Sequence, residues 1–293
     1  MNILLTGGSG FLGKNILESF LAQKYSLFAP THQELELMNE VSVRSFLIDH
    51  AIDIIIHAAA KPGHRNTKDP TNIFYWNTRM FFNMARNLDI VRKLIITGSG
   101  AIYDMRYYLP KMKEEYFGEH VPVDEHGLSK YVIGKYSDNH KRIIDLRIFG
   151  IFGKYEDYAI RFISNMICKA IFDLPLTIKQ NRRFDYLFVE DLMPVLDYFI
   201  TTTGRHQAYN VTPDESVELL EIARRVCLIS GKKLPVVFAQ EGMGTEYSGD
   251  NSRLRKEMPG LNFTGINCAI EKLYANYLDN KEWVNREVLL SDR

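Results

Sequence analysis

The sequence predicts an α/β protein with a doubly wound parallel sheet and a smaller C-terminal domain. Short apolar runs alternate with amphipathic segments of helical periodicity over roughly the first half of the chain. A glycine-rich turn joins the first apolar run to the first amphipathic segment. The 293 residues, of which 46% are hydrophobic, are enough to bury a substantial core.

The elements of the first half follow from the spacing of apolar residues. Short continuous apolar runs are typical of parallel strands covered on both faces, and apolar residues at every third or fourth position indicate helices. Parallel strands need crossover helices between them, which the alternation supplies. Strands are predicted at residues 1–6, 26–29, 53–59, 93–97 and 143–148, and helices at residues 10–24, 72–88 and 127–139.

The pattern loosens after about residue 153. We therefore expect a dinucleotide-binding domain over residues 1–153, to which later segments return, and a mainly substrate-binding domain over residues 154–293. In this second part, helices are predicted at residues 160–172, 189–202, 217–230 and 265–279, with short strands at residues 177–179 and 234–238.

Composition and charge exclude several classes of protein. Lys+Arg and Asp+Glu both number 36, so the chain lacks the basic excess of a nucleic-acid or acidic-membrane binder. Cys168, Cys227 and Cys268 match no zinc or disulfide pattern, which suits a reducing compartment. No apolar run is long enough to cross a membrane, and the predicted first strand leaves no room for a signal peptide. We expect a cytoplasmic protein without a metal site.

The turn after the first strand has the spacing GxxGxxG, with Gly7, Gly10 and Gly13. Glycine permits the dihedral angles of a tight turn and lets a diphosphate approach the backbone, and a helix N-terminus then offers free N–H groups. This position between a strand and a helix predicts a Rossmann-type dinucleotide site. Its expected residues are Thr6, Gly7, Ser9, Gly10, Phe11, Leu12 and Gly13.

The end of the second strand bears on the choice of coenzyme. An acidic residue there would hold the ribose 2′-hydroxyl of NAD, but the segment from Ala29 to Gln33 contains no carboxylate. Thr31 and His32 offer donors to a 2′-phosphate, although no arginine is present. These residues favour NADP(H) and leave NAD(H) open, with His32 as a candidate coenzyme ligand.

Motifs along nearly the whole chain resemble the extended short-chain dehydrogenase/reductase family, whose members act mostly on nucleotide sugars. They are His57-Ala58-Ala59-Ala60, Ser99 four residues before a tyrosine, LRIFGIFG at residues 146–153, RRFDYLFVED at residues 182–191 and YNV at residues 209–211. The resemblance implies that His57, Ala58 and Ala59 lie beside the dinucleotide and that Ser99 is catalytic.

Within that family, the chain resembles GDP-fucose synthases in some segments and reductases of CDP- or dTDP-linked 4-keto-deoxysugars in others. The synthases also epimerise, using a cysteine and a histidine near the sugar. Here Ala101 stands at the cysteine position, and residues 161–163 contain no histidine. The resemblance therefore implies reduction of a nucleotide-linked 4-keto sugar without epimerisation.

The family's chemistry uses a tyrosine and, four residues later, a lysine that lowers the tyrosine pKa and binds the nicotinamide ribose. Tyr131 and Lys135 match this spacing, but His126 and Lys130 match the longer YGxSK segment with histidine in place of tyrosine. The length remaining before the next strand favours His126 and Lys130. Proton donation by a His126 imidazolium, another donor such as Tyr103, and lost activity all remain open.

The resemblance also indicates substrate and partner contacts. Asn165 and Arg183 are candidate diphosphate ligands, because guanidinium offers paired donors to phosphate oxygens, and Lys61 is a candidate substrate contact. A surface ion pair is the alternative for Arg183. The helices at residues 72–88 and 127–139 form a dimer interface in this family, so a homodimer is expected.

Three hypotheses of function follow. The first is an NADP(H)-dependent reductase of a nucleotide-linked 4-keto (deoxy) sugar in surface-polysaccharide sugar synthesis. The second is an NAD-dependent nucleotide-sugar 4-epimerase or dehydrogenase. The third is a dinucleotide-binding protein that has lost catalysis, which the histidine at position 126 motivates.

Overall fold

A parallel sheet forms the centre of the protein. The computed structural model describes residues 1–63, Thr67 and residues 69–290. Within this part of the chain, six parallel strands pair in the order β10-β5-β4-β3-β1-β2. Their bounds are β1 Asn2–Thr6, β2 Ser26–Phe28, β3 Ile54–His57, β4 Lys93–Ser99, β5 Ile143–Ile148 and β10 Ala208–Val211.

Helices cover both faces of this sheet. Successive residues of a strand point to opposite faces, so apolar strands place side chains that need burial on both. Ile3 and Leu5 belong to one apolar cluster and Leu4 belongs to another. The first cluster includes residues of α1 Phe11–Glu18, α2 Phe20–Lys24 and α7 Leu192–Thr201; the second includes residues of α3 Glu40–Asp49, α4 Ile73–Ala85 and α5 Glu125–Ser137. The predicted doubly wound, Rossmann-type α/β fold is confirmed.

The C-terminal part has its own apolar core. Ile167, Ile222 and Ile270, all fully or almost fully buried, come from three helices and meet in this core. These helices are α6 Phe162–Ile171, α8 Leu219–Ser230 and α10 Ile266–Asp279. The smaller elements are β6 Gly150–Phe152, β7 Leu176–Asn181, β8 Arg183–Phe184, β9 Tyr186–Phe188, β11 Val217–Glu218, β12 Val236–Met243, α9 Ser252–Glu257 and α11 Arg286–Leu290.

Two predicted helices differ from the structure. The single helix predicted over residues 10–24 breaks at Ser19, where an extended backbone ends α1. The Ser19 hydroxyl then caps α2 by accepting a hydrogen bond from Leu21 N at 3.2 Å. The helix predicted from residue 217 begins at Leu219 instead, because Val217 and Glu218 pair antiparallel with β8. No helix among the described residues combines the length and the apolar character needed to cross a bilayer.

Candidate active site

The turn between β1 and α1 leaves no room for side chains at two of its glycines. Gly7 has a φ of +74°, and a Cβ added there would lie 2.8 Å from Ala59 N. A Cβ on Gly13 would overlap the Gly7 carbonyl oxygen. The turn therefore presents bare backbone at the start of α1, where the first N–H groups of a helix lack partners within it. This cradle fits the pyrophosphate of a dinucleotide.

A cleft of about 540 Å³ opens beside this turn. The strand ends and the loop after β3 line it together, as expected for the carboxyl edge of a parallel sheet. Of the predicted coenzyme and substrate residues, the cleft is lined by Thr6, Gly7, Ser9, Gly10, His32, Ala58, Ala59 and Lys61. Phe11 and Leu12 form the half-buried first turn of α1, and Gly13 is buried.

His57 ties β3 to β1 beneath the cleft. Its Nδ1 lies 2.8 Å from Thr6 Oγ1, which also accepts a hydrogen bond from Ala59 N at 3.2 Å. Burial, together with the charge of Lys130, lowers the pKa of His57 to about 3. The ring is therefore neutral at physiological pH and serves to hold the loop against the glycine turn.

Lys130 extends from α5 into a small pocket beside this cleft. Asp124 caps that helix by accepting a hydrogen bond from Gly127 N at 2.8 Å, and the helix then directs Lys130 Nζ to within 3.2 Å of the Thr97 carbonyl oxygen. Burial lowers the pKa of Lys130, and the charge of Asp145 opposes this effect. Together with Ser99, Lys130 lines a small pocket that shares Ala59 and Ala60 with the cleft.

The alternative pair, Tyr131 and Lys135, packs elsewhere. Tyr131 stacks edge-on against Phe117 at 5.2 Å, and Lys135 Nζ lies 4.7 Å from the centre of the same Phe117 ring. Neither residue lines the pocket that contains Lys130. A separation of five residues turns a side chain about 140° around a helix, so the two pairs face different directions.

His126 lies one helical turn before Lys130. Its Nδ1 is buried and has no hydrogen-bond partner among the described residues. Burial, followed by the charge of Lys130, lowers the pKa of His126 to about 4. The imidazolium that would act as an acid at neutral pH is therefore scarce, and the neutral ring retains one N–H donor.

Ser99 ends β4 and caps the short 3₁₀ turn Gly100–Tyr103, accepting a hydrogen bond from Ala101 N at 3.1 Å. Tyr103, the alternative proton donor, is 3% exposed. Its hydroxyl donates to Asn210 Oδ1 at 2.7 Å and accepts from Arg147 Nη1 at 3.1 Å. Tyr103 is therefore a core residue whose hydrogen is already committed.

A family model decides the classification. The model of the NAD dependent epimerase/dehydratase family matches residues 3–212, which include the glycine turn, Ser99 and Lys130. The chain belongs to this family. Its fold and its predicted extended short-chain dehydrogenase/reductase character agree with the match.

Several relatives of this epimerase/dehydratase chain match almost its whole length. It is 25% identical to GDP-L-colitose synthase of Yersinia pseudotuberculosis, over 96% of this chain and 99% of that protein. It is also 25% identical to GDP-6-deoxy-D-talose 4-dehydrogenase of Aggregatibacter actinomycetemcomitans, over 95% and 98%. The NADP-bound structure of GDP-mannoheptose C4 reductase from Campylobacter jejuni superposes with a TM-score of 0.81 at 20% identity, covering 94% of this chain and 98% of that one.

The end of β2 in this family member differs from the sequence-based expectation. Glu34 folds back so that its Oε2 accepts hydrogen bonds from Thr31 N at 2.7 Å and Thr31 Oγ1 at 2.9 Å. Glu36 also lines the cleft. Thr31, which the sequence offers as a donor to a 2′-phosphate, has its hydroxyl hydrogen bonded to the Glu34 carboxylate in this structure. His32 remains at the cleft wall.

Of the three predicted substrate contacts, Lys61 alone lines the cleft. Lys61 Nζ binds Asp69 Oδ2 at 2.6 Å at the cleft mouth. Asn165 Nδ2 donates to the Tyr158 carbonyl oxygen at 3.0 Å. Arg183 donates from Nε to Ser216 Oγ at 3.1 Å, with Glu218 and Glu246 within 4 Å of its guanidinium. Each side chain is held by the protein itself, and only Lys61 lines the cleft.

Tyr247 and Tyr108 are neighbours of Ser99 that the sequence did not indicate. The ring centres of the two tyrosines lie 5.0 Å apart, the Tyr108 hydroxyl donates to the Gly100 carbonyl oxygen, and a Cβ added to Gly100 would lie 2.7 Å from the Tyr247 hydroxyl oxygen. Neither tyrosine belongs to a recognised motif, and both lie in irregular segments. Their proximity arises from tertiary folding alone, so no local signal could have identified them.

Proposed function

We propose that this member of the epimerase/dehydratase family is an NADP(H)-dependent reductase of a nucleotide-linked 4-keto (deoxy) sugar in surface-polysaccharide sugar synthesis. The observation that carries the proposal is that the coenzyme cleft and the pocket of Ser99 and Lys130 are adjacent and share Ala59 and Ala60 in their walls. A hydride donor held at the glycine turn would extend toward those two side chains. The relatives named for GDP-linked sugars support a guanosine diphosphate sugar as the substrate class.

Each side chain has a specific task in this proposal. The bound coenzyme supplies the hydride. Lys130 holds the coenzyme ribose, for which its position beside the Thr97 carbonyl is suited. Ser99 donates its hydroxyl hydrogen to the sugar carbonyl oxygen, and neutral His126 offers an N–H donor to the same oxygen. Both donors stabilise the negative charge that develops on that oxygen, and solvent water supplies the proton that completes the product alcohol.

The choice between NADP(H) and NAD(H) rests on the few residues near the end of β2. His32 at the cleft wall is the remaining donor for a 2′-phosphate near the end of β2. His32 favours NADP(H), but the carboxylates of Glu34 and Glu36 oppose a phosphate there, so the preference for NADP(H) should be small. Direct measurement of both dissociation constants by calorimetry determines this preference.

The decisive experiment mixes the purified protein with NADPH and, in turn, CDP-, GDP-, UDP- and dTDP-linked 4-keto sugars. We expect loss of the nicotinamide absorbance, fastest with the GDP-linked sugar. Ser99→Ala should lower kcat by roughly 100-fold because it removes one donor to the developing oxyanion. Ser45→Ala, on the exposed surface of α3, is the matched control and should keep wild-type rates.

Absence of turnover with all four sugars would contradict the reductase. Tightly retained NAD with interconversion of sugar epimers and no net coenzyme consumption would instead support the 4-epimerase. Coenzyme binding without any reaction would support a protein that has lost catalysis. These three outcomes distinguish the hypotheses.

We also propose a cytoplasmic homodimer that forms through α4 and α5. These helices pack together, with the rings of Phe81 and Tyr136 5.8 Å apart, and Tyr75 on α4 is 58% exposed. An exposed aromatic side chain on such a helix pair suits an interface between copies. Sedimentation should show a dimer that Tyr75→Glu dissociates and Tyr107→Glu, at another exposed tyrosine, does not. A wild-type monomer would contradict this proposal.

A further inference from the structure

Asp145 is a buried carboxylate beside Lys130 that the proposed mechanism does not use. It lies on β5 and is 1% exposed. Ile143 on the same strand belongs to the apolar cluster of α4 and α5, and alternate residues of a strand share a face, so the Asp145 side chain points toward α5. Lys130 extends from α5 toward the same face, and both residues line the small pocket of Ser99.

The two charged groups lie against the same peptide unit of β4. Lys130 Nζ donates to the Thr97 carbonyl oxygen at 3.2 Å. A Cβ added to the next residue, Gly98, would overlap Asp145 Oδ1. The glycine therefore makes room for the carboxyl group. The ammonium and the carboxylate thus reach one peptide from two different elements, α5 and β5.

One oxygen of the Asp145 carboxylate has a partner and the other does not. Oδ2 accepts a hydrogen bond from Arg147 Nε at 2.9 Å, whereas Oδ1 is buried and makes no hydrogen bond among the described residues. The pocket that Asp145 and Lys130 both line has a volume of about 10 Å³, which is the space that one water molecule needs. A water there can donate to Asp145 Oδ1 and accept from Lys130 Nζ.

The charges beneath α5 balance only when Asp145 is counted. Arg147 is 1% exposed, and its guanidinium also lies 3.6 Å from Asp138. Arg147 and Lys130 supply two positive charges, and Asp145 and Asp138 supply two negative charges. Without Asp145, one positive charge would be buried without compensation. A guanidinium keeps its proton in proteins, so Lys130 would be the group that gives one up.

Apart from Asp145, the described wall of the pocket presents no charge to Lys130. His57 from β3 is neutral, since burial lowers its pKa to about 3, and so is His126, one turn earlier on α5, with a pKa of about 4. The helix α4 contributes the uncharged Asn77, and β4 and the 3₁₀ turn after it contribute uncharged side chains. Burial lowers the pKa of Lys130, and Asp145 is the carboxylate that opposes this effect.

We propose that Asp145 is a positioning residue that acts as the counter-ion of Lys130 through a single buried water. This inference rests on the role of Lys130 in the proposed reductase. An ammonium has three N–H donors. One is bound to the Thr97 carbonyl, the second binds the water, and the third remains for the coenzyme ribose. A neutral lysine has one donor fewer, so Asp145 fixes both the charge and the number of donors at the group that holds the coenzyme.

The first measurement is the charge of Lys130 in the free protein. The ¹³Cε resonance of labelled lysines distinguishes an ammonium from an amine, and Lys130→Met identifies the Lys130 signal by its loss. In the wild type this signal should remain that of an ammonium up to pH 8. In Asp145→Asn, which keeps an oxygen for Arg147 Nε, it should become that of an amine at lower pH. Asp104→Asn is the matched control, because Asp104 is also buried and bound to an arginine, Arg106, but lies outside the pocket.

The second measurement is the NADPH dissociation constant as a function of pH, by calorimetry. Asp145→Asn should bind nearly as tightly as the wild type at pH 6 and about tenfold more weakly at pH 8, because a hydrogen bond from a charged donor is then lost. In the Lys130→Met background, Asp145→Asn should add no pH-dependent weakening. A merely structural defect would weaken binding equally at both pH values and would contradict the proposal.

The bridge is tested by a crystal structure of the wild type at high resolution. An ordered water should lie within about 3.2 Å of both Lys130 Nζ and Asp145 Oδ1. A pocket without such a water would overturn the bridge. Neither this structure nor the wild-type lysine titration requires that Asp145→Asn folds.

The outcomes separate this inference from the proposed function. If wild-type Lys130 becomes an amine below pH 8, or if Asp145→Asn leaves its titration unchanged, the role of Asp145 is overturned whether or not the protein reduces a keto sugar. If the Lys130 signal behaves as expected and none of the four keto sugars is reduced, the reductase is overturned and the counter-ion role stands.

Discussion

His126 lies in the first turn of α5, at the position where the segment YGxSK of the family carries tyrosine. An imidazole is shorter than a phenol, and burial beside Lys130 lowers its pKa to about 4. In the usual arrangement a lysine stabilises a phenolate, whereas here the same positive charge disfavours an imidazolium. The ring can therefore act only as a neutral donor or acceptor over most of the working pH range.

This argument predicts the behaviour of variants at position 126. His126→Phe should reduce kcat by roughly 100-fold, because it removes the N–H donor and keeps an aromatic ring. The wild-type pH–rate profile should show no break near 6.5, the ordinary pKa of histidine, since the folded-state value is about 4. His120→Phe, at an exposed position, is the control. Steady-state rates between pH 5 and 9 provide the measurement, and equal rates for His126→Phe and wild type would refute the role of His126.

The strands and helices of the central sheet could be predicted because their signals are local. A continuous apolar run such as Ile54–His57 identifies a covered strand without knowledge of its neighbours. The break at Ser19 could not be predicted, because apolar residues continue at helical spacing on both sides of it. The pairing of Val217 and Glu218 with β8 depends on residues distant in sequence, which periodicity does not report.

The same distinction applies to the candidate site. Gly7 and Gly13 could be identified because backbone crowding within one turn demands glycine. Lys130 could be predicted because the length of chain before β5 favours the register of His126 and Lys130. Glu34 reverses toward Thr31 in a turn whose geometry the sequence does not reveal. Tyr247 lies beside Gly100, the residue after Ser99, through tertiary folding that no local pattern reports.

At the scale of the whole molecule, the C-terminal part has an apolar core distinct from the two clusters on the faces of the sheet. The carboxyl group of Glu156 lies at the border of this C-terminal core. Its residue is 8% exposed, and it accepts a hydrogen bond from Ser164 Oγ at 2.6 Å. Burial raises the pKa of Glu156 from its ordinary 4.5 to about 8. The folded protein therefore prefers a protonated side chain at this position.

This preference makes folding stability depend on pH in a definite direction. A carboxyl group whose pKa is raised by folding gives its full stabilisation below about pH 4.5, and this is lost as the pH rises toward 8. The free energy of unfolding of the wild type should therefore fall between pH 5 and 9. Glu156→Gln has no proton to lose at this position, so its free energy of unfolding should fall less, by a difference on the order of 4 kcal/mol. Urea unfolding at both pH values measures the difference, with Glu119→Gln at an exposed position as the control. Equal losses of the free energy of unfolding in the wild type and Glu156→Gln would show that Glu156 is already ionised in the folded protein. A cation or water would then reach this border of the C-terminal core.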